Sequence, residues 1–196
     1  MRLVLCSGSP RRREMLSRLG LRFDVEVPRV TEERAPGERI IAYPERLARE
    51  KAAAGLESWR KRGGQAPAVA LAADTVVVLG EEVLEKPRDR SDAERMLRSL
   101  SGSEHRVITG VCVATDREVR SRAVVTGVRF TDLSDAALRW LVESGDGDDK
   151  AGAYAVQGLA GAFVERVDGS FSNVVGLPLT ETLQLLAGAG LRMPWG

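Results

Sequence analysis

The chain has 196 residues, 43% of them hydrophobic, which is enough for a full core in one domain or two small ones. Its 29 lysines and arginines nearly balance 28 aspartates and glutamates, which argues against a broad nucleic-acid or membrane surface. The apolar run after Arg2 is too short for a signal peptide, and no stretch approaches a membrane span of about 20 apolar residues. We therefore expect a soluble cytoplasmic protein, with residues 1–196 forming a single domain.

The first elements are a strand, a turn and a helix. Residues 3–5 are a short apolar run, Ser9 suits an N-cap, and Pro10 suits the first helical position. Three arginines, residues 11–13, follow, although the helix dipole disfavours cations there. Such a departure from local rules often marks a functional site. Free backbone N–H groups and guanidinium groups would attract a phosphate, and a solvated basic surface is the alternative.

The next elements alternate between strands and helices. Residues 23–27 alternate like a strand, and "YPERLAREKAAAGL" predicts a helix from Tyr43 to about Leu56. Residues 69–79 give the strongest signal for a buried strand, followed by the hairpin return "GEEVLEKP". "SDAERMLRSLSG" predicts a helix with Ser91 as its N-cap.

The second half of the chain continues the mixture. Two long strands, "HRVITGVCVATD" and "REVRSRAVVTGVRF", are joined at residues 115–117, and a helix capped by Ser134 follows. A glycine-rich stretch, a strand over "AFVERVDG" and a helix from Pro178 to about Ala187 complete the chain. We predict an α/β fold with a mixed, central sheet and flanking helices.

Several classes of site are poorly supported. The single histidine, His105, begins a strand and is expected to be structural, which disfavours a histidine metal site or a Ser-His-Asp triad. Cys6 and Cys112 lie in apolar runs and are expected to be buried free thiols. Neither a Walker A sequence nor a dinucleotide-binding fingerprint is present.

Asp74 and Thr75 interrupt the strongest apolar strand. A buried aspartate is costly unless it is paired or bound to a metal. The strand could simply emerge from the core at Asp74, or the carboxylate could hold a hard metal ion or take a proton from water. Glu32 and Glu33 could supply further oxygen ligands, although alone they are typical of an ordinary polar loop.

Two lysines and one glutamine complete the candidate residues. Lys51 lies on the second predicted helix, and Lys86 is held extended by the proline that follows it. Each alone is typical of a solvated lysine, but with Arg11 and Arg12 they would suit a polyphosphate. The Gln157 amide offers a donor and an acceptor that match the imide edge of uracil or thymine, unless it satisfies its own loop backbone.

An ordered set of motifs over residues 3 to about 186 resembles the Maf family of nucleoside triphosphate pyrophosphatases. The motifs are "SGSPRRREML", "LAREKA", "AADTVV", "EKP", "SGSEHRVITGV", "AGAYAVQGLAGAFVERVDGS" and "NVVGLPL". The resemblance implies a fold similar to the inosine triphosphate pyrophosphatases, a mixed sheet with helices and two lobes around a cleft. It also implies hydrolysis of a triphosphate to the monophosphate and pyrophosphate with Mg²⁺ or Mn²⁺, and a homodimer.

The resemblance also assigns roles to residues. Asp74 matches the proton acceptor of the family, and Glu32 with Asp74 matches its metal ligands. The phosphate-binding positions map to Ser7, Arg11, Arg12, Lys51 and Lys86. The subgroup that acts on dTTP and UTP is marked by residues matching Arg11, Thr75 and Gln157.

The sequence leaves three alternatives to that activity. One is a nucleotide-sensing regulator of cell division with little turnover, since the family is linked by name to septum inhibition. Another is the same chemistry on 7-methyl-GTP, the substrate of a sister subgroup that differs at the three marker positions. Nucleic-acid binding through the arginines is disfavoured by the nearly neutral charge and by the few aromatic residues.

Overall fold

The computed structural model describes residues 1–64 and 67–195. Seven strands in this part of the chain belong to one sheet. They are β1 (Arg2–Cys6), β2 (Phe23–Glu26), β3 (Ala68–Leu79), β4 (Glu82–Leu84), β5 (Glu104–Ala114), β6 (Val119–Phe130) and β7 (Val164–Asp168). The order across the sheet is β2-β1-β3-β5-β6-β7, and β4 pairs with β3.

The sheet is mixed, as the long hairpin in the sequence predicts. Strand β1 is parallel to both of its neighbours, β2 and β3. Strands β3 and β4 are antiparallel, and so are β6 and β7. The α/β fold with a central mixed sheet is therefore confirmed, while the cleft between two lobes stays a prediction.

The described chain has six α-helices, four of them between strands and two after β7. They are α1 (Pro10–Arg18), α2 (Ala42–Lys61), α3 (Arg90–Leu100), α4 (Asp135–Ser144), α5 (Phe171–Val175) and α6 (Leu179–Gly188). The predicted N-caps Ser9 and Ser134 are confirmed, since both side chains accept a backbone N–H of the first turn. The predicted cap of α3 at Ser91 is wrong, because the Asp89 carboxylate accepts the Asp92 N–H at 2.8 Å and starts the helix earlier.

The structure corrects the end of α2 and adds one helix. Helix α2 continues beyond Leu56 to Lys61, because its apolar face stays packed as far as Trp59. The short helix α5 was not predicted from the sequence. It starts where the Ser170 hydroxyl accepts the Asn173 N–H at 3.2 Å.

The described chain divides into two units, each with its own core. Unit 1 comprises Met1–Asp74, Thr109–Val124 and Gly176–Gly196. Apolar side chains of β1, β3, β5, α1 and α6 pack in one cluster of unit 1, and alanines of α2 pack in a second. Cys6 and Cys112 are free and buried in this second cluster, as expected, and burial raises the pKa of each thiol to about 12.

Unit 2 comprises Thr75–Ile108 and Val125–Val175. Its core joins side chains of α3 and α4 to those of the strands and of the glycine-rich segment, including Leu97, Val128, Phe130, Leu138 and Tyr154. Because each unit has its own core, the assignment of residues 1–196 to one domain stays a prediction.

None of the helices in the described residues has the length and apolar character needed to cross a membrane.

Candidate active site

Helix α2 lies directly on the sheet of unit 1 because two glycines leave room for it. A Cβ atom at Gly110 in β5 would overlap the backbone of Pro44 and Glu45. A Cβ atom at Gly55 in α2 would overlap the Cys6 side chain in β1. Lys51 lies one turn before Gly55 and therefore on the same face of the helix. The close packing directs the Lys51 side chain towards the sheet, where it is 11% exposed.

Lys51 joins two of the predicted acidic residues. Its Nζ donates to Asp74 Oδ1 at 2.6 Å and lies 2.7 Å from Glu32 Oε1. The Asp74 side chain is 10% exposed, whereas the Glu32 side chain is 51% exposed. The ammonium group therefore connects a buried carboxylate on β3 with a carboxylate that is open to solvent.

Asp74 does not mark the point at which β3 leaves the core. The residues that follow Thr75 are buried again, with Val76 and Val77 each 3% exposed and Val78 fully buried. The alternative in which the strand emerges at Asp74 is therefore wrong. Asp74 is a buried charge whose cost is offset by its cationic partner, Lys51.

Arg12 points inwards and connects α1 to the middle of the buried strand β3. Its Nε donates to the Gly176 carbonyl at 2.8 Å, and its Nη1 donates to the Ala73 carbonyl at 2.8 Å and to Ser7 Oγ at 3.1 Å. Burial lowers the pKa of the Arg12 guanidinium, and the Asp74 carboxylate acts in the opposite direction. Arg12 thus holds the backbone next to Asp74 in addition to any contact with phosphate.

The N-terminus of α1 is less open than the sequence suggests. Pro10 has no N–H, the Arg12 N–H is taken by Ser9 Oγ at 3.4 Å, and the Arg13 N–H is taken by the Ser9 carbonyl at 3.3 Å. This turn therefore offers fewer free backbone donors for phosphate than an uncapped helix start would, and its role in phosphate binding stays a prediction. Capping by Ser9 is the physical reason, since it satisfies groups that a helix otherwise leaves unpaired.

The remaining arginines and Ser7 differ in exposure. Ser7 is 7% exposed, and its Oγ accepts from the Ser9 N–H and from Arg12. Arg11 is partly buried, whereas Arg13 is exposed and reaches back to the Gly8 carbonyl at 3.4 Å. Arg11 and Arg12 are therefore partly shielded from solvent, whereas Arg13 is not.

Three further candidates belong to unit 2: Thr75, Lys86 and Gln157. Lys86 and Gln157 are exposed, and neither side chain forms a hydrogen bond or ion pair with another residue among those the structure describes. The alternative in which the Gln157 amide satisfies its own loop backbone is therefore wrong for the described chain. Thr75 follows Asp74 in β3, so the two side chains point to opposite faces of the strand.

The segment that carries Gln157 is fastened to unit 2 by a buried aromatic cluster. His105 Nε2 and Tyr154 Oη are 2.8 Å apart, and both rings meet Phe130 edge-on with ring centres 5.3 and 4.9 Å away. His105 is 1% exposed, and burial lowers its pKa to about 4. The structural role expected for His105 is confirmed. Gly152, with φ at +71°, adds a second attachment through its N–H to the Glu85 carbonyl.

The donor chemistry of Glu32 and Asp74 fits a hard divalent cation. Each of these residues has a carboxylate oxygen next to the Lys51 ammonium group, so the two oxygen donors lie near the same point. Mg²⁺ is commonly bound through one or two carboxylates plus substrate phosphates and water. Within the described ranges, no three His, Cys, Asp or Glu residues form a group that could hold a metal by themselves. The two carboxylates would therefore need oxygens from a phosphate or from water to complete a metal shell.

Sequence reasoning missed one ionic network beside these residues. Arg46 on α2 forms two hydrogen bonds with Glu38 and a third with the Glu33 carbonyl, next to Glu32. The spacing of Arg46 and Glu50 at i and i+4 gives a weak signal for one of its ion pairs. The contacts of Arg46 with Glu33 and Glu38 could not be found from periodicity, because they depend on the path of the loop before α2.

Comparisons with known proteins identify the family of this chain. The family model described as Maf-like protein matches residues 2–189. The chain is 56% identical to the dTTP/UTP pyrophosphatase of Anaeromyxobacter dehalogenans strain 2CP-C, over 99% of this chain and 97% of that relative. Identity is 51% to the dTTP/UTP pyrophosphatase of Vibrio cholerae serotype O1, over 94% and 96%, and 49% to that of Escherichia coli O157:H7, over 94% and 91%. The chain therefore belongs to the Maf family.

Proposed function

We propose that this protein hydrolyses dTTP and UTP to the nucleoside monophosphate and pyrophosphate. The observation that carries the proposal is the contact of Lys51 with both Asp74 and Glu32 in unit 1. It supplies a buried carboxylate, a cation and an exposed carboxylate within one cluster, which is the chemistry that hydrolysis of a phosphoanhydride requires. Relatives named dTTP/UTP pyrophosphatase, about half identical over nearly the whole chain, support the choice of substrate.

Asp74 is the group that we assign as proton acceptor. As a water oxygen bonds to the α-phosphorus, the proton of that water passes to Asp74. The bond from the α-phosphorus to the oxygen that bridges to the β-phosphate breaks, and pyrophosphate leaves. Lys51, Lys86 and Arg11 would neutralise the charge on the leaving group, which is how most of the rate arises in phosphoryl transfer.

Charge within the cluster explains why a divalent cation would assist. Glu32 and Asp74 together carry two negative charges at neutral pH, and Lys51 offsets one of them. A triphosphate is itself highly anionic, so the acidic pair repels it unless more positive charge is present. A cation held by Glu32 and Asp74 would supply that charge and polarise phosphoryl oxygens.

Gln157 is the residue that we assign to recognition of the base. Its amide oxygen would accept from the ring N3–H of uracil or thymine, and its amide nitrogen would donate to a ring carbonyl. The exposed amide, without a hydrogen-bond partner among the described residues, supports this assignment. Arg11 and Thr75 are the other residues that we assign to substrate selection.

A panel of nucleoside triphosphates tests the proposal. We expect pyrophosphate release from dTTP and UTP with Mg²⁺ or Mn²⁺, much slower release from GTP and 7-methyl-GTP, and loss of activity with a chelator. Release of phosphate in place of pyrophosphate would contradict attack at the α-phosphorus. Binding of nucleotides without turnover under every metal condition would favour the sensing role instead.

A further inference from the structure

The loop before α2 is fastened to the helix by one arginine. We propose that Arg46 is a positioning residue, which holds residues 33–38 so that Glu32 is presented to Lys51 and Asp74. The inference rests on the proposed function for its consequence in catalysis, but the loop attachment itself can be measured without any substrate.

Arg46 and Glu38 form a two-pronged ion pair. Arg46 Nε donates to Glu38 Oε1 at 2.7 Å, and Arg46 Nη2 donates to Glu38 Oε2 at 2.9 Å. The Glu38 side chain is 12% exposed and that of Arg46 is 33% exposed, so solvent screens the pair only in part. The geometry is the bidentate form that gives arginine–carboxylate pairs their strength and direction.

The same guanidinium also reaches the backbone beside Glu32. Arg46 Nη2 donates to the Glu33 carbonyl at 2.9 Å, and Arg46 Nη1 donates to Glu50 on α2 at 3.0 Å. All three side-chain nitrogens of Arg46 are therefore engaged, two of them with the loop. Since Glu33 follows Glu32 directly, this bond fixes the backbone one residue away from the proposed metal ligand.

Glu38 adds a second connection within the loop. Its Oε2 accepts the Ala35 N–H at 3.1 Å, and its carbonyl accepts from Arg34 Nε at 2.9 Å. The loop therefore closes on itself through Glu38, and Arg46 fastens the closed loop to α2. Helix α2 is in turn fixed against the sheet at Gly110 and Gly55, as described above.

Glu32 needs such support because the stretch of chain that carries it is irregular. Residues 28–35 form neither helix nor strand, and half of the Glu32 side chain is exposed. A free loop loses conformational entropy at every residue when it is ordered. If Arg46 did not hold the loop, that cost would fall on the binding of the metal by Glu32.

Amide hydrogen exchange tests the attachment directly, in the absence of metal and substrate. We expect Arg46→Gln to speed exchange at residues 32–38 by at least tenfold while β1 and β3 keep their protection. Arg46→Lys should have an intermediate effect, because an ammonium group cannot form the bidentate pair and also reach Glu33. Lys61→Ala, which removes an exposed ion pair with Glu57 on the same helix, is the matched control.

Metal dependence tests the consequence for catalysis. Loss of a residue that orients a metal ligand typically costs 10- to 100-fold in metal affinity. We therefore expect Arg46→Gln to raise the Mn²⁺ concentration for half-maximal UTP hydrolysis by about that factor, with KM for UTP at saturating Mn²⁺ nearly unchanged. A residue that merely stabilised the fold would lower the amount of active enzyme without moving the Mn²⁺ midpoint.

The outcomes separate this inference from the proposed function. Unchanged exchange at residues 32–38 in Arg46→Gln would overturn the attachment. A Mn²⁺ midpoint equal to that of Lys61→Ala would overturn the positioning role. An inactive wild-type protein would overturn the proposed function, and the exchange experiment would still decide whether Arg46 holds the loop. If Arg46→Gln does not fold, Arg46→Lys answers the same questions.

Discussion

The candidate residues of unit 1 and those of unit 2 are held in different ways. In unit 1, Asp74, Lys51 and Arg12 are engaged with protein groups at distances of 2.6 to 3.1 Å. In unit 2, Lys86 and Gln157 are exposed and form no side-chain hydrogen bonds with the described residues. A side chain that acts on a reacting bond works best when its position is fixed. A side chain that recognises a ligand needs hydrogen-bonding groups that only water occupies before the ligand binds.

The contacts that hold the candidate residues also differ between the two units. Charged networks hold the unit 1 residues, whereas the His105, Tyr154 and Phe130 cluster holds the segment that carries Gln157. A charged network fixes orientation through hydrogen bonds and responds to nearby charge. An apolar cluster fixes position through packing and is hardly affected by an anionic ligand. The comparison predicts that substitutions in unit 1 mainly change turnover and those near Gln157 mainly change selectivity or stability.

The largest expected effect is at Asp74. Asp74→Asn keeps an oxygen for Lys51 but removes the basic carboxylate, so turnover of UTP should fall by about 10²- to 10⁴-fold, the usual scale of general-base catalysis. Steady-state kinetics at saturating Mn²⁺ measure the change. Asp116→Asn, at an exposed ion pair with Arg60 in the same unit, is the control and should keep full activity. Nearly normal turnover in Asp74→Asn would remove Asp74 from the mechanism.

The next effect concerns the response of unit 2 to acid. Burial lowers the pKa of His105 from 6.5 in the unfolded chain to about 4 in the folded state, so the unfolded chain binds the proton more readily. The contribution of neutral His105 to the free energy of unfolding is fully present above pH 6.5. It falls by about 2–3 kcal/mol as the pH is lowered towards 4. Urea unfolding at pH 7 and pH 4.5 should show this loss in the wild type, and a smaller one in His105→Gln. Equal losses in the two proteins would contradict the buried, neutral imidazole.

A smaller effect is expected at the recognition residue. Gln157→Glu replaces the amide donor by a carboxylate that also repels phosphate, so kcat/KM for UTP should fall about tenfold, or about 1.4 kcal/mol. Gln184→Glu, at another exposed glutamine, is the matched control. Ratios of kcat/KM for dTTP, UTP and GTP measure selectivity. An unchanged substrate profile would reject the role of Gln157 in reading the base.

The smallest effect is expected for the hydroxyl of the aromatic cluster. Tyr154→Phe removes the hydrogen bond to His105 and keeps the ring contacts, so the free energy of unfolding should fall by about 1 kcal/mol. Thermal and urea unfolding at pH 7 measure it. Combining the change with His105→Gln in a double-mutant cycle isolates the pair. Additive losses from the two changes would show that the hydrogen bond contributes nothing.

Local rules predicted the elements of the fold well. The sequence signals at Ser9, Ser134 and residues 69–79 depend on contacts within a few residues, and the structure confirms them. The cap of α3 was misplaced because Asp89 and Ser91 are both good caps, and the choice between them depends on where the preceding turn ends. The short helix α5 is fixed by buried partners of Asn173 on other strands, which no local pattern reveals.

The site was predictable in part for the same reason. A charged residue inside an apolar strand identified Asp74, and its need for a partner followed from the cost of burial. That Lys51 is this partner depends on where α2 lies on the sheet, which local patterns do not reveal. The resemblance to the family assigned Lys51 to the phosphates only. The inward turn of Arg12 towards Ala73 and Gly176 was missed, because hydrogen bonds over long sequence separations leave no periodic signal.

The close approach of α2 to the sheet has a consequence for how the sequence can vary. Gly55 and Gly110 bear no chemical group, yet any side chain at either position would overlap atoms of the facing element. In a survey of all single substitutions, these two glycines should tolerate change as poorly as Asp74 does. Intolerance to substitution at these two positions would then reflect the short distance between α2 and the sheet. It would not indicate a catalytic role for either residue.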